Sequence, residues 1–307
     1  MQVSSRFADY AEFHRIQMAN RDVDPVYPVL KKIGDLLRWT AEERVRSVFL
    51  HVAYYDLGST LAAVDRRHGA FLRAFTQPRE GLKCGTERRR HRMGNNLAEH
   101  LSDLHHIAEK YNGLSAWTRT YITEHPVDSW IAMTDALMDV NGNGRWAAYK
   151  TCEMLAEVCG LPLEAPDMGH ANSSGPRAGL GVLYPDTLEL RGNRPSVIRL
   201  LDVQSAALVK TLRGLGLEAG VATAETTLCD FRSLCEGRYY AGLDIDVMLE
   251  QLLRAPLSAG MLEMALRARR LELPEAYLGE RAEFRWRGPD RVRKQVYRRT
   301  GEIVERE

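Results

Sequence analysis

The chain has 307 residues, a formal net charge of +1, 45% hydrophobic residues and 27% charged residues. Such a chain can bury one large core or two smaller ones, and its composition excludes the disordered and fibrous classes. Near-neutrality excludes bulk charge as a basis for nucleic-acid binding, and no apolar run approaches the roughly 20 residues that span a bilayer.

The first residues, Met1-Gln2-Val3-Ser4-Ser5-Arg6, lack the apolar core of a signal peptide, so a cytoplasmic protein is expected. Residues 1–24 read as an N-terminal extension. Asp24-Pro25-Val26-Tyr27-Pro28 opens a helix that runs through Leu37. Thr40 with Glu43 three residues on is a capping-box signature for the next helix. From Glu42 to about Val64 the sequence is apolar on nearly all sides, which predicts one central, buried helix. His51 on it is expected to be a satisfied core histidine. Gly69 to Phe75 suggests a short helical piece. Arg79 to Arg92 carries six basic and two acidic residues, enough for a local phosphate-facing patch or a solvated basic surface.

Asn95 to Tyr111 places Leu97, Leu101, Leu104 and Ile107 at helical spacing. Within it His105 and His106 point about 100° apart, so the pair is no bidentate metal ligand. Leu114 to Thr123 and Val127 to Asp139 are further helices. Val140-Asn141-Gly142-Asn143-Gly144-Arg145-Trp146-Ala147-Ala148 then reads apolar, x, Gly, x, Gly, basic, x, x, Ala. That is the pattern of the hairpin in a helix-hairpin-helix unit. Its glycines permit a tight turn and bare the N–H groups at the start of the next helix, where a DNA phosphate fits. Gly142, Gly144 and Arg145 are therefore candidate phosphate-binding residues; an ordinary helix–helix turn is the bland alternative.

The second hairpin helix, Arg145 to Val158, ends at Gly160-Leu161-Pro162. A loop follows to Gly175. Gly175 to Leu183, Ile198 to Leu215, Glu225 to Cys235 and Asp246 to Leu253 are further helical candidates. After Leu273-Pro274 the pattern alternates, which predicts a small β-hairpin or extended basic arm over residues 274–307. Five cysteines, an odd number with no CxxC pair, support neither a disulfide frame nor a zinc site. No cofactor is expected, and no ligand constellation for a divalent metal is found.

The hairpin resembles that of the helix-hairpin-helix DNA glycosylases. In that superfamily a catalytic aspartate follows the second hairpin helix, and here the loop offers Glu164 and Asp167. A lysine nucleophile in some members falls where this chain has Trp146, so a Schiff-base lyase is not expected. A narrower resemblance rests on motifs in order: Gly144-Arg145-Trp146-Ala147-Ala148-Tyr149-Lys150, Asp167, Gly175-Pro176-Arg177-Ala178-Gly179-Leu180, and Glu225-Thr226-Thr227-Leu228-Cys229-Asp230-Phe231. Upstream, Gly85-Thr86-Glu87-Arg88-Arg89-Arg90-His91-Arg92 fits the same pattern. This set is similar to the phage α-glutamyl/putrescinyl-thymine pyrophosphorylases, also described as amino acid:DNA transferases. It covers roughly residues 25 to 250. The chain departs from it at Arg177, where a glycine is expected, which puts a tight-loop role for Gly-Pro-Gly in question.

The resemblance implies a mainly α, helix-hairpin-helix glycosylase-like fold, with residues 25–273 as the catalytic region. It implies transfer of an amino acid onto pyrophosphorylated 5-hydroxymethyluracil in double-stranded phage DNA, with release of pyrophosphate, in an infected bacterial host. A reacting base must leave the stack, and a glycosylase-like fold supplies a base-flipping pocket. The attacking amine must be neutral, so a nearby carboxylate should take its proton: Asp167 first, Glu225 second. Pyrophosphate or an incoming carboxylate needs positive donors, for which Arg88, Arg89, Arg92 and Arg177 are candidates. Tyr54, Tyr55, Trp146, Tyr149, Tyr239 and Tyr240 could stack on a flipped base, Tyr149 and Trp146 lying within the matched motif. His170, near Asp167, is a further group that could titrate there. A monofunctional base-excision glycosylase and a non-catalytic DNA-binding module stand as alternatives. The donor is left open among glycine, serine, glutamate and a diamine precursor.

Overall fold

The structure is a computed structural model and describes residues 5–65, 70–171, 173–185 and 193–274. The expected C-terminal arm lies outside the described residues. Among those described, every regular element is helical, as expected for a mainly α chain. No helix among them is long and apolar enough to cross a membrane. The chain divides into two compact units, each assembled from separated stretches.

One unit comprises residues 26–164 and 247–272. It begins with α2 (Val26–Leu36) and α3 (Ala41–Tyr54). Thr40 caps α3 as the sequence predicts: its hydroxyl accepts from the Glu43 N–H, and the Glu43 carboxylate accepts from the Thr40 N–H at 2.8 Å. The single helix expected over residues 42–64 is instead two. Tyr55 takes a left-handed conformation (φ 48°), and Asp56 then caps α4 (Leu57–Val64) through its carboxylate and the Ser59 N–H. The break lets α4 turn its glycine onto the chain near Arg254. A Cβ on Gly58 would lie 2.0 Å from the Gln251 carbonyl oxygen, so only glycine permits this approach.

The unit continues with α5 (Ala70–Thr76), a 3-10 segment η1 (Thr86–Arg92), α6 (Asn96–Tyr111), α7 (Leu114–Arg119), α8 (Pro126–Met138) and α9 (Arg145–Cys159). Helix α9 packs against α2, α3 and α8 through Ala147, Ala148, Met154 and Leu155, all buried. Small residues at 147 and 148 let the start of α9 sit close to its neighbours. Helix α14 (Ala259–Glu272) packs along α2, with Lys32 and Glu272 paired at 2.9 Å. The sequence patterns did not mark α14.

The other unit is built from the described residues of 5–25 and 165–246, with 273 and 274. Residues 5–19 form α1 (Ser5–Ala19), which packs on α10 (Ser174–Leu183) and α12 (Val221–Cys235). Helix α11 (Pro195–Gly214) packs on α12, and the boundary between the units falls inside α13 (Leu243–Arg254). Tyr10, Phe13, Leu180, Leu228 and Phe231 form the centre of this unit's core. Tyr10 and His14 both reach the Thr227 hydroxyl at 2.9 Å, so these three side chains pair their polar atoms within that core.

Gly179 explains why α10 and α12 lie so close: a Cβ there would stand 2.6 Å from the Leu228 carbonyl oxygen. Gly175 meets Cys229 in the same way, at 2.6 Å from its Sγ. Arg177 lies within α10 and outside the left-handed region, so nothing at that position demands glycine. The departure from the Gly-Pro-Gly pattern is therefore conformationally harmless, and the close approaches are made by Gly175 and Gly179.

Candidate functional site

The candidate residues fall in both units, and each group has its own geometry. In the unit containing α9, the turn between α8 and α9 carries Gly142, Gly144 and Arg145. Gly142 is left-handed (φ 78°), and a Cβ on it would lie 3.1 Å from His91 Nε2. Gly144 is extended and opens α9 with no side-chain cap. The first N–H groups of a helix have no intrahelical acceptor, so an uncapped start presents donors to an anion. Gly144 and Arg145 are exposed, and the space around Gly144 is open.

Two histidines that the sequence patterns did not single out lie against this turn. His100 Nδ1–H donates to the Asn141 carbonyl at 2.6 Å, and His91 Nδ1–H donates to the Ala53 carbonyl at 2.7 Å. Their rings lie 4.7 Å apart. Since a carbonyl only accepts, the His91 proton is on Nδ1, and Nε2 accepts from Arg88 Nη2 at 2.8 Å. Asp103 takes the Asn141 N–H at 2.7 Å. Gly142 is thus needed twice, for its dihedral and for the ring against it. Gly142→Ala is expected to cost about 1–2 kcal/mol from the left-handed conformation alone. Gly144→Ser, in open space with cap-compatible angles, is expected to keep full stability. Urea denaturation of the two variants checks the contrast.

Arg88 is 5% exposed, and its Nε is buried with no hydrogen-bond partner among the described residues. Its Nη2 also approaches Asn143 Oδ1 of the turn at 3.5 Å. Burial lowers its pKa to about 10, so it remains charged at neutral pH. Burial first, and then that charge, pushes His91 down to about 4 and His100 to about 3. Both rings are neutral when folded, whereas the unfolded chain protonates them below 6.5. Folded-state pKa values below the unfolded ones mean stability that is present above pH 6.5 and is lost as pH falls through the window toward 4. The expected loss is about 1.4 kcal/mol per pH unit per ring, read from urea midpoints at pH 7.5, 6 and 5.

Arg89 and Arg92 are exposed on the same element; Arg92 Nε and Nη2 both donate to the Cys84 carbonyl, at 3.0 and 2.6 Å. Trp146 is half-buried and meets Tyr55 edge-on at 4.8 Å, and Tyr149 meets Trp130 edge-on at 5.0 Å. His51 is a core histidine bonded to the Thr60 hydroxyl at 3.2 Å, as expected. His105 pairs with Glu109 at 3.4 Å. A shallow depression of about 520 Å³ beside Asn141 is lined by Glu99 and Asp103, whose carboxylates disfavour a phosphate there.

In the other unit, Asp167 is half-buried in the loop before α10, and its Oδ1 accepts from the Gly169 N–H at 2.6 Å. Arg177, one turn into α10, donates from Nη2 to Asn193 Oδ1 at 2.8 Å. His170 lies between them in sequence and is 1% exposed; its pKa is about 4, lowered by burial first, then by Arg177, and raised in part by Asp167. Both charged groups therefore act on one imidazole. Glu225, on α12, is buried, and its Oε1 accepts from Cys229 Sγ at 3.7 Å. Glu164 is exposed and belongs to the other unit.

Among the described residues, no group of three or more His, Cys, Asp or Glu is placed to hold a metal ion. All five cysteines are free thiols. A family model described as "Amino acid:DNA transferase" matches residues 36–240. No curated protein matches the chain.

Proposed function

The chain belongs to the amino acid:DNA transferase family, and from that premise we propose that its acceptor is pyrophosphorylated 5-hydroxymethyluracil in phage DNA. Transfer of amino acids to DNA is the activity of the family. The amine nitrogen attacks the exocyclic methylene carbon, and the C–O bond to pyrophosphate breaks with its electron pair leaving on oxygen. The family match supports amino-acid transfer to DNA; the acceptor and the leaving group are our reading of it. The chemistry of the two residue groups supports it.

The turn at Gly142 and Gly144 acts as a helix-hairpin-helix phosphate grip. The uncapped α9 N–H groups and Arg145 hold the DNA backbone. Arg88, buried behind the turn with its charge intact, strengthens the field there, and the exposed Arg89 and Arg92 add donors for backbone or pyrophosphate oxygens. Trp146 and Tyr149 are the aromatic faces nearest the turn in sequence for a base out of the stack. Asp167 takes the proton that must leave the ammonium before attack, with Glu225 as the second carboxylate.

The test is to incubate pyrophosphorylated DNA with the protein and a mixture of amino acids, then digest it and weigh the nucleosides. An amino-acid adduct with stoichiometric pyrophosphate release is expected. Abasic sites without an adduct would instead identify a base-excision glycosylase. DNA recovered unchanged, though bound, would identify a non-catalytic binding module.

A further inference from the structure

Arg88 is a buried cation for which the described residues supply no anion. It sits on η1 and is 5% exposed. Its Nη2 bonds to His91 Nε2 at 2.8 Å and approaches Asn143 Oδ1 at 3.5 Å, while Nε is buried with no hydrogen-bond partner. Among the described residues no carboxylate pairs with it. Other buried cations are treated differently. Lys150 meets Glu153 at 2.7 Å, and Arg46 meets Glu42 at 2.6 Å. A guanidinium does not shed its proton as an imidazole can, so an unmatched one keeps both its charge and its desolvation cost. Its two neighbours are themselves fixed. The Asn143 amide nitrogen donates to the Leu137 carbonyl at 3.0 Å, which turns Oδ1 toward Arg88. His91 Nδ1–H donates to the Ala53 carbonyl, which leaves Nε2 as the acceptor. The charge is thereby held against Asn143, the residue before Gly144, where the uncapped α9 begins.

We propose that a phosphate oxyanion seated on the first N–H groups of α9 is the counter-ion that Arg88 lacks, and that Arg88 fixes where along the turn this phosphate sits. The proposal rests on the reading of the turn as a phosphate grip and names the charge that completes it. Arg88 is a positioning residue: Asn143 lies between the guanidinium and the anion, and the charge acts through the turn. Because it is buried, water and salt screen it less than they screen the exposed Arg145. The opposite end of the turn carries the opposite sign. Asp103 accepts from the Asn141 N–H at 2.7 Å, and Glu99 lines the depression beside it. The turn thus runs from negative at Asn141 to positive at Asn143 and Arg145, and this gradient seats a phosphate at the Gly144 end, where the space is open. A backbone diester of DNA and free pyrophosphate share the chemistry that this seat recognises.

The full chain is tested with two probes, inorganic pyrophosphate and an unmodified DNA duplex. With ionic strength held constant by chloride, at least one of them is expected to raise the urea midpoint of the parent, because it binds the folded state and relieves the unmatched charge. Arg88→Gln removes the charge and keeps an amide donor. It is expected to weaken that probe about tenfold and, for the duplex, to lower the slope of log K against log salt by about 0.9. Arg88→Lys restores the charge without the fork and should recover most of the loss. Asp103→Asn keeps an acceptor for the Asn141 N–H, and its binding should tighten about twofold to threefold. This last variant and the parent's own stabilisation read the site with Arg88 intact. A loss confined to the duplex identifies a backbone diester, and one confined to pyrophosphate identifies the leaving group. Parent-like binding of both probes by folded Arg88→Gln would overturn the proposal. Equal losses in Arg88→Gln and Arg88→Lys would do the same, as would a parent that neither probe stabilises. Arg145→Gln separates the two levels. If it weakens the duplex and Arg88→Gln does not, the phosphate grip stands and the counter-ion assignment fails. If neither weakens it, the grip itself fails.

Discussion

Asp167→Asn is expected to slow single-turnover transfer by about 10²–10⁴-fold, the range for loss of a positioned proton acceptor. The substitution preserves shape: the amide oxygen can still accept from the Gly169 N–H, which Asp167 Oδ1 now does at 2.6 Å. Loop geometry should therefore survive, and DNA affinity should change by less than threefold. Rapid-quench measurement of adduct formation, beside a DNA-binding titration at fixed salt, reads both quantities. A parent-like rate would remove Asp167 from the chemistry. Loss of DNA binding would place it in the DNA interface instead. Glu225→Gln serves as the comparison, since Glu225 is more deeply buried and already accepts from Cys229.

The second large effect is on stability. Lys150 and Glu153 pair at 2.7 Å on α9 with side chains 9% and 5% exposed, and the Tyr27 hydroxyl donates to the same Glu153 oxygen at 3.3 Å. Removing Glu153 takes away the carboxylate that neutralises the buried Lys150 ammonium, and breaking a buried pair costs about 3–5 kcal/mol. Glu153→Leu should show that loss in urea denaturation. Lys150→Met with Glu153→Leu should recover most of it, because replacing both charges by apolar groups removes the desolvation cost along with the attraction. Lys150 closes the motif that begins at Gly144, and its place in this pair accounts for a lysine there without any contact to DNA.

The sequence was most legible where a signal is local. The capping box of Thr40 and Glu43, the glycine after α9 and the turn at Gly142 and Gly144 each act within a few residues, and each is found where expected. The break between α3 and α4 was hidden because Tyr55 and Asp56 sit inside an apolar stretch whose period continues through them. Asp56 followed three residues on by Ser59 was the available cap signal, and burial on all sides outweighed it. The support beneath the turn was illegible for another reason. His91 and His100 reach Gly142 across 42 to 51 positions, and no spacing rule encodes such a contact. The same holds for His170 and Ser205, 35 residues apart. Asp167 and Arg177 could be named from motifs, but that both act on one imidazole is a property of the folded loop and of α10.

The packing of α14 along α2 carries a consequence for how the protein is made. Residues 247–272 complete a unit whose other part ends at residue 164. During synthesis α2 emerges early, and the helix that covers it, with Glu272 to pair Lys32, comes more than two hundred residues later. Gly58 waits in the same way for the backbone at Gln251. The nascent chain must therefore carry an apolar helical face uncovered while all of α10 to α12 is translated, the interval in which a holdase has a surface to grip. A chain halted at residue 246 would retain Asp167, His170, Arg177 and the α8–α9 turn, yet it would expose that face permanently. Such a truncation should aggregate, although it keeps the turn at Gly142 and Gly144 and the carboxylates Asp167 and Glu225.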